Sequence, residues 1–441
     1  MSNKAIIKKK ISKFKKVVNV SGDKSLSIRW VLFSSLASGV SKAKNLLMSE
    51  DVLAAIEIIK KLGIKVKLRN NICEIYGRGI NGYNYKKNLK LNAKNSGTLG
   101  RLILGLLINS PYPIKIVGDK SLSQRDFKRV SDPLSKFGAN FRLSRKNFLP
   151  LTITGSKKLK PIDYFEKKGS AQCKSAVIFG GLRTNGTTTI KAKKSRNHTE
   201  LIFKHLNLPL QVKNNKYYDE IKIQKVKKIK RINYNIPCDI SSSAFFIVLT
   251  ALSKDSELTI KNVNVNPSRT GIIYILKKMG IKIKLKNKKI YKGEKIADIF
   301  TKSSKNLSSI NCPTKFNSSA IDEMLLIFLC AARASGVSYF KDIGELNQKE
   351  SPRLKWGEKI LNKMGIKTIA TGNSIKIFGN PNLKINKKIV IKDYLKDHRV
   401  FMTSVIAALS FDGKGFFEIH DKDSIKTSFP NFLNIIEDLK K

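Results

Sequence analysis

The chain has 441 residues and 41% hydrophobic content, enough to bury cores for about two to four domains. Its formal net charge of +54 makes anions the partners its field attracts, whether nucleic acid, lipid headgroups or phosphorylated metabolites. Five scattered Cys without CxxC spacing and four His without metal-ligand spacing argue against a disulfide framework and a zinc site, and for a reducing compartment.

Taken in chain order, six segments repeat one pattern: a polar head, an apolar helix rich in small residues, a turn with Gly or Asn, and a β-rich strand. The first runs from Lys24-Ser25 through WVLFSSLASG, and the second from Asn95-Ser96-Gly97-Thr98 through LGRLILGLLINS. The third runs from Ser170-Ala171-Gln172 through CKSAVIFGGLRTNG, and the fourth from Asp239-Ile240-Ser241-Ser242 through SAFFIVLTALSKD. The fifth is IDEMLLIFLCAARASG, headed by Asp322-Glu323, and the sixth follows Asp397-His398-Arg399. The heads recur about every 70 to 80 residues, a self-similar period that signals repeated architecture. A second phrase marks another helix leaving through a left-handed cap into a strand. It occurs at Leu62-Gly63, Phe137-Gly138, Met279-Gly280 and Met364-Gly365, with Leu206-Asn207 as a degenerate copy. The chain ends in a last helix, FLNIIEDLKK. No Pro-, Gly- or Ser-rich linker divides it.

Any one polar head is an ordinary N-cap. Six heads in register with the repeat point to convergence, and several helix N-termini facing one place attract anions. The individual heads carry suitable chemistry. Ser25 and Arg29 are four apart, on one helix face. With Lys24 they supply an ammonium, a hydroxyl and a forked guanidinium for a phosphate or carboxylate. Gly97 permits close approach of a ligand to backbone, with Arg101 a turn later. Arg125, Ser170, Gln172, Ser195 and Arg196 add cations, hydroxyls and an amide. His198 reads as a hydrogen-bonded structural residue. Asp322 at a helix head, with Lys349, Glu350 and Arg353 beyond, supplies a base, a proton shuttle and two cations.

The ordered set SGDKSLSIR, NSGT, GDKSLSQR, SAQCKSA, SRNHTE, DISSSAF, NPSRTG, AIDE, KESPR, DHR and TSFP resembles the 3-phosphoshikimate 1-carboxyvinyltransferase (EPSP synthase) family, from Val20 to the C-terminus. The resemblance implies an α/β fold of two domains, the enolpyruvyl transferase fold or inverse α/β barrel. It has six repeated βαβαββ-type units, three per domain, closing on the substrates. One domain would be 1–22 plus 241–441, and the other, 23–240, would be inserted in it. The implied reaction converts shikimate 3-phosphate and phosphoenolpyruvate to 5-enolpyruvylshikimate 3-phosphate and phosphate, by addition and elimination, without metal or organic cofactor.

Carried over by position, Lys24, Ser25, Arg29, Ser170, Ala171, Gln172, Ser195, Arg196, Asp322 and Lys349 would bind shikimate 3-phosphate. Lys24, Gly97, Arg125, Gln172, Arg353 and Arg399 would bind phosphoenolpyruvate. Asp322 would accept the proton of the attacking 5-hydroxyl and Glu350 would handle the proton at the methylene carbon, so these two and Lys24 are the expected catalytic residues. The family's inhibitor glyphosate competes for the phosphoenolpyruvate site, and Ala at the position of Gly97 occurs in some tolerant members; Gly here implies sensitivity.

The sequence departs from the family pattern at Lys94, Asp126, Asn197, Cys238, Asn347, Pro352 and Phe401, and Thr427 stands where one branch has Lys. None of these removes a residue named above. The sister enzyme acting on a UDP-sugar typically has Lys-Asn at its first loop and a Cys proton donor; this chain has Lys24-Ser25 and no Cys near Arg125 in sequence. A nucleic-acid role finds no zinc-finger, RNP or helix-turn-helix signature, and the basic stretches are not interleaved with aromatics. Much of the Lys excess reads as coding bias. The longest apolar run, Met324 to Ala332, is too short to span a bilayer, and the Lys-rich N-terminus lacks an apolar signal core. The expectation is a cytoplasmic monomer acting on small molecules, with neither a membrane nor an obligate nucleic-acid partner.

Overall fold

The computed structural model describes residues 3–144 and 147–441, among which lie thirteen α-helices and six small sheets of three to five strands. The chain divides into two compact units. The first comprises Met1–Ser21, Pro237–Tyr291 and Lys295–Lys441; the second comprises Gly22–Ile236 with Lys292–Glu294.

In each unit three helices are buried almost all round, as expected of helices without a polar face. In the second unit they are Lys24–Leu36, Gly97–Leu106 and Ala171–Gly181. In the first they are Ile240–Leu252, Met324–Ala332 and His398–Ser410. Small residues let them pack closely. A Cβ on Gly105 would lie 2.1 Å from the carbonyl oxygen of Ala176, so the backbones of helices Gly97–Leu106 and Ala171–Gly181 touch.

Each sheet is built around the strand that follows a buried helix. In the second unit, Leu89–Asn92 and Ile114–Val117 pair in parallel across helix Gly97–Leu106, and Phe148–Thr154 and Asn140–Ser144 add antiparallel. Asp163–Glu166, Thr187–Lys193, Tyr218–Gln224 and Leu210–Asn214 repeat this order around helix Ala171–Gly181. The remaining repeat takes its parallel strands from elsewhere: Ala37–Lys44 pairs with Ile229–Lys230 and Tyr234–Asn235, which the chain reaches only at the end of the unit. In the first unit, Lys15–Val18 near the N-terminus likewise lies parallel to Glu257–Asn264.

A second, amphipathic helix in each repeat lies outside the buried ones. Five of them leave through a left-handed residue: Gly63 (φ +86°), Gly138 (+110°), Asn207 (+52°), Gly280 (+91°) and Gly365 (+91°). These are the cap positions marked by the sequence, and the closing helix Phe432–Lys440 is also present.

Candidate active site

In the second unit the heads of the three buried helices are joined by side-chain hydrogen bonds. Helix Lys24–Leu36 is capped by Asp23, which accepts from the Leu26 N–H at 2.9 Å. Lys24 Nζ meets Asp51 at 3.2 Å, and Ser25 is half-buried beside it. Arg29, 2% exposed, donates from Nε to Thr199 Oγ1 (2.9 Å), from Nη2 to Ser175 Oγ (3.2 Å) and from Nη1 to the Ser25 carbonyl (3.1 Å). Arg29 therefore ties the first helix to the third and to the start of helix His198–His205. Burial lowers its pKa to about 10, so it stays protonated at neutral pH.

Ser96 caps helix Gly97–Leu106, which starts at Gly97. Arg101 donates from Nη1 to Gln172 Oε1 at 2.7 Å and from Nη2 to the Asp126 carbonyl at 3.2 Å; burial also brings its pKa to about 10. Gln172 Nε2 donates to Thr98 Oγ1 at 3.1 Å, and Arg125 Nη2 donates to Asn95 Oδ1 at 3.1 Å and Ser121 Oγ at 3.3 Å. Ser170 caps helix Ala171–Gly181, so Ala171 contributes position and a backbone N–H rather than a reactive side chain. The Ser195 hydroxyl is buried without a hydrogen-bond partner among the described residues, an acceptor and donor left for another molecule. Arg196, next to it, is half-buried. Three helix N-termini and five cations (Lys24, Arg29, Arg101, Arg125 and Arg196) make this cluster an anion site in character.

His198 is fully buried with Nδ1 2.7 Å from Glu294 Oε1, which makes it the hydrogen-bonded structural residue expected. The departures at Lys94 and Asp126 are accommodated locally. Lys94 has φ +49° and its N–H donates to Asn92; Asp126 Oδ1 accepts from the Lys128 N–H.

In the first unit the cluster is mixed in charge. Arg353, 2% exposed, is its hub. Its Nε and Nη2 hold Asp397 at 2.9 and 3.2 Å, Nη1 meets Asp322 at 3.3 Å, and Nη2 also contacts Glu350. Burial alone would lower the Arg353 pKa; Asp397, then Glu350 and Asp322, outweigh it and raise the value. Conversely, burial would raise the Asp397 pKa, but Arg353 holds it below the usual carboxylate range. Lys349 Nζ lies 3.3 Å from the same Asp322 oxygen. Arg399 Nη1 donates to the Asp322 carbonyl at 2.7 Å and to Glu323 Oε1 at 3.4 Å. Ser241 bridges from helix Ile240–Leu252 to Glu323 and accepts from Arg269 Nη2 at 2.7 Å. Pro352 takes the N-cap position of helix Arg353–Met364 with φ −69°, a value a proline ring holds without strain, and its carbonyl accepts from the Trp356 N–H at 3.0 Å.

The structure thus places Lys24, Ser25, Arg29, Gly97, Arg125, Ser170, Ala171, Gln172, Ser195 and Arg196 in the second unit. Asp322, Lys349, Glu350, Arg353 and Arg399 fall in the first. Residues outside the expected site list also take part: Ser175, Thr199, Glu323 and Asp397 hold the named side chains, Arg269 holds Ser241 and Asp239, and Arg101 fixes Gln172. Arg269 lies within NPSRTG and Asp397 heads DHR, so both stood in quoted motifs; only the contacts show what they hold.

A protein-family model described as EPSP synthase (3-phosphoshikimate 1-carboxyvinyltransferase) matches residues 8–436. The 3-phosphoshikimate 1-carboxyvinyltransferase of Caldicellulosiruptor bescii is 39% identical over 423 residues, 95% of each chain. That of Thermoanaerobacter sp. is 38% identical, over 96% of this chain and 97% of its own. Among solved structures, EPSP synthase from Acinetobacter baumannii superposes with a TM-score of 0.85 at 32% identity, covering 98% of this chain and 97% of that one. The enolpyruvyl transferase NikO from Streptomyces tendae shares the fold at 13% identity, with a TM-score of 0.76 over 100% of this chain and 98% of that one. Whole-chain identity of this order, together with helix heads that carry the family's motifs, decides the matter: the chain belongs to the EPSP synthase (3-phosphoshikimate 1-carboxyvinyltransferase) family, enzymes of enolpyruvyl transfer in the shikimate pathway.

Proposed function

We propose that this chain transfers the enolpyruvyl group of phosphoenolpyruvate to the 5-hydroxyl of shikimate 3-phosphate, with its two clusters doing different work. The two substrates carry two phosphates and two carboxylates, and enclosing that charge requires several Arg and Lys. The second-unit cluster supplies them. Lys24, Ser25, Arg29, Ser170, Gln172, Ser195 and Arg196 hold shikimate 3-phosphate, the Ser195 hydroxyl taking an acceptor it lacks in the protein itself. Lys24, Arg125, Gln172 and the open backbone at Gly97 hold phosphoenolpyruvate.

The first-unit cluster moves the protons. Asp322 takes the proton from the 5-hydroxyl as that oxygen bonds to C2 of phosphoenolpyruvate, and Glu350 delivers one to C3. The resulting tetrahedral adduct then loses a C3 proton and inorganic phosphate, restoring the double bond. Lys349 and Arg399 complete the ligand contacts. The observation that carries this division is the Arg353 fork. One buried guanidinium holds Asp322 on Nη1 and Glu350 on Nη2 and is itself fixed by Asp397. These contacts use four of the five guanidinium N–H groups, so Arg353 positions the acids and keeps one Nη1 N–H for the phosphoenolpyruvate carboxylate. The same proposal has the enzyme act as a cytoplasmic monomer and, as the resemblance implies, without metal or organic cofactor.

Phosphate release tests it. The purified protein is given phosphoenolpyruvate with either shikimate 3-phosphate or UDP-N-acetylglucosamine, beside an Asp322→Ala control. Release only with shikimate 3-phosphate, lost in the control, is expected. Release only with the UDP-sugar would move the chain to the sister reaction.

A further inference from the structure

The second unit holds a cleft of about 810 Å³ that the reaction does not use. It is lined by turns from all three repeats: Ile80 and Asn81 after the first, Asn109 with 156–159 in the second, and Leu182, Arg183 and Asn185 with 225–227 in the third. These turns lie at the C-terminal ends of the helices whose N-termini form the anion cluster. Helix Ala171–Gly181 separates Ser170 from Leu182 by about 18 Å at 1.5 Å per residue.

Three observations give this cleft a ligand chemistry. Five of its thirteen lining residues are cations (Lys157, Lys158, Arg183, Lys225 and Lys227) and none is acidic, against 86 cations in 441 residues overall. Arg183 donates from Nη2 to the Ile80 carbonyl at 2.6 Å, while its buried Nε and Nη1 have no hydrogen-bond partner among the described residues. The titratable groups that face it are the phenols of Tyr83 and Tyr85, not carboxylates, and burial lowers its pKa. Half-buried Arg183 has no carboxylate facing it, and an anion in the cleft would supply the counter-charge. Cations at helix C-termini are favourable in their own right. That favours Arg183 and the four lysines alike, so what points to a ligand is that no acidic side chain lines the cleft beside five cations. Finally, Asn81, Asn109 and Asn185 place amides among Ile80, Leu159, Leu182 and Val226, and the volume is that of a metabolite pocket.

We propose that this cleft is a second anion site, separate from the catalytic clusters, that binds a small organic molecule bearing two or more phosphates. The cations take the phosphates, and the amides and apolar side chains take the organic body. Inorganic tripolyphosphate and ATP are the probes, titrated calorimetrically at 150 mM salt against three full-length proteins. These are the parent, a variant with Lys157→Ser, Lys225→Ser and Lys227→Ser, and a charge-matched control with Lys65→Ser, Lys90→Ser and Lys115→Ser. All six lysines are exposed, and none belongs to the catalytic clusters. The expected result is at least tenfold weaker binding of both probes to the cleft variant, with the control matching the parent and all three releasing phosphate from substrate alike. Tighter binding of ATP than of tripolyphosphate supports recognition of the organic body; equal binding overturns that part. Equal weakening in the two variants, or none in either, overturns the site, because the probes would then be reading only the overall charge.

Discussion

Replacing Asp322 by Asn separates a catalytic base from a structural counter-ion. The carboxylate is 15% exposed at its side chain and contacts Lys349 and Arg353 at 3.3 Å each. At an effective dielectric of about 20, each contact amounts to roughly 5 kcal/mol of Coulomb attraction before desolvation, and less for the more exposed Lys349. Asn keeps the shape and one oxygen for Arg353 Nη1, and Arg353 keeps Asp397 and Glu350, so unit one should still fold. Losing one charge-assisted hydrogen bond costs about 1.5–3 kcal/mol of stability. Loss of a positioned base costs roughly 10²–10⁴-fold in rate, about 2.7–5.5 kcal/mol in the barrier. Initial rates of phosphate release with both substrates, from pH 6 to 9, read the difference. The expected outcome is a fall of that size in kcat with KM for shikimate 3-phosphate little changed. A kcat within about tenfold of the parent, with the whole effect in KM, would refute the assignment and leave Asp322 a binding residue.

Three further outcomes follow from the geometry. In Gly97→Ala the new Cβ would lie 2.9 Å from Arg101 Nη1 and 3.0 Å from Arg125 Nη1, forcing both guanidinium groups aside. The parent should be inhibited by glyphosate competitively with phosphoenolpyruvate, and the variant should show a higher KM for phosphoenolpyruvate and weaker inhibition; unchanged constants would count against a phosphoenolpyruvate site at Gly97. Asp397 has a folded pKa below its unfolded value, so its stabilisation is present above the unfolded pKa of about 3.9 and is lost as pH falls through the folded value. Asp397→Asn retains an equally good N-cap but breaks a buried pair, at a cost of up to about 3–5 kcal/mol. Its thermal midpoint should be lower at pH 7 and flatter between pH 5 and 3, and a parallel acid profile would show that other carboxylates set the slope. Burial pushes the Cys73 thiol up to about 12 and Cys312 to about 11, and all five Cys are buried. An aromatic disulfide reagent at pH 8 should therefore label none of them quickly in the folded protein and all five after denaturation; rapid labelling of Cys73 would contradict its burial.

What the sequence by itself determined is local. The six polar heads, the left-handed exits at Gly63, Gly138, Asn207, Gly280 and Gly365, and the caps Asp23, Ser96, Ser170, Asp239 and Asp397 need only a few neighbouring residues, because hydrogen bonding at a helix end is satisfied within one turn. What tertiary structure decided are the pairings across the chain. Arg29 is read from the sequence as a ligand-binding cation; that it also donates to Thr199 and Ser175, 170 and 146 residues away, only the packed structure shows. Arg353 is read from KESPR as a cation for phosphoenolpyruvate; that Asp397, 44 residues on, holds two of its nitrogens while it also contacts Asp322 and Glu350, only the packed structure shows. Ala37–Lys44 takes its parallel strands from 229–235, a choice no local pattern encodes. The physical reason is the same in each case. A buried guanidinium or an unpaired strand edge must be satisfied, but which distant group satisfies it is fixed only when the repeats pack.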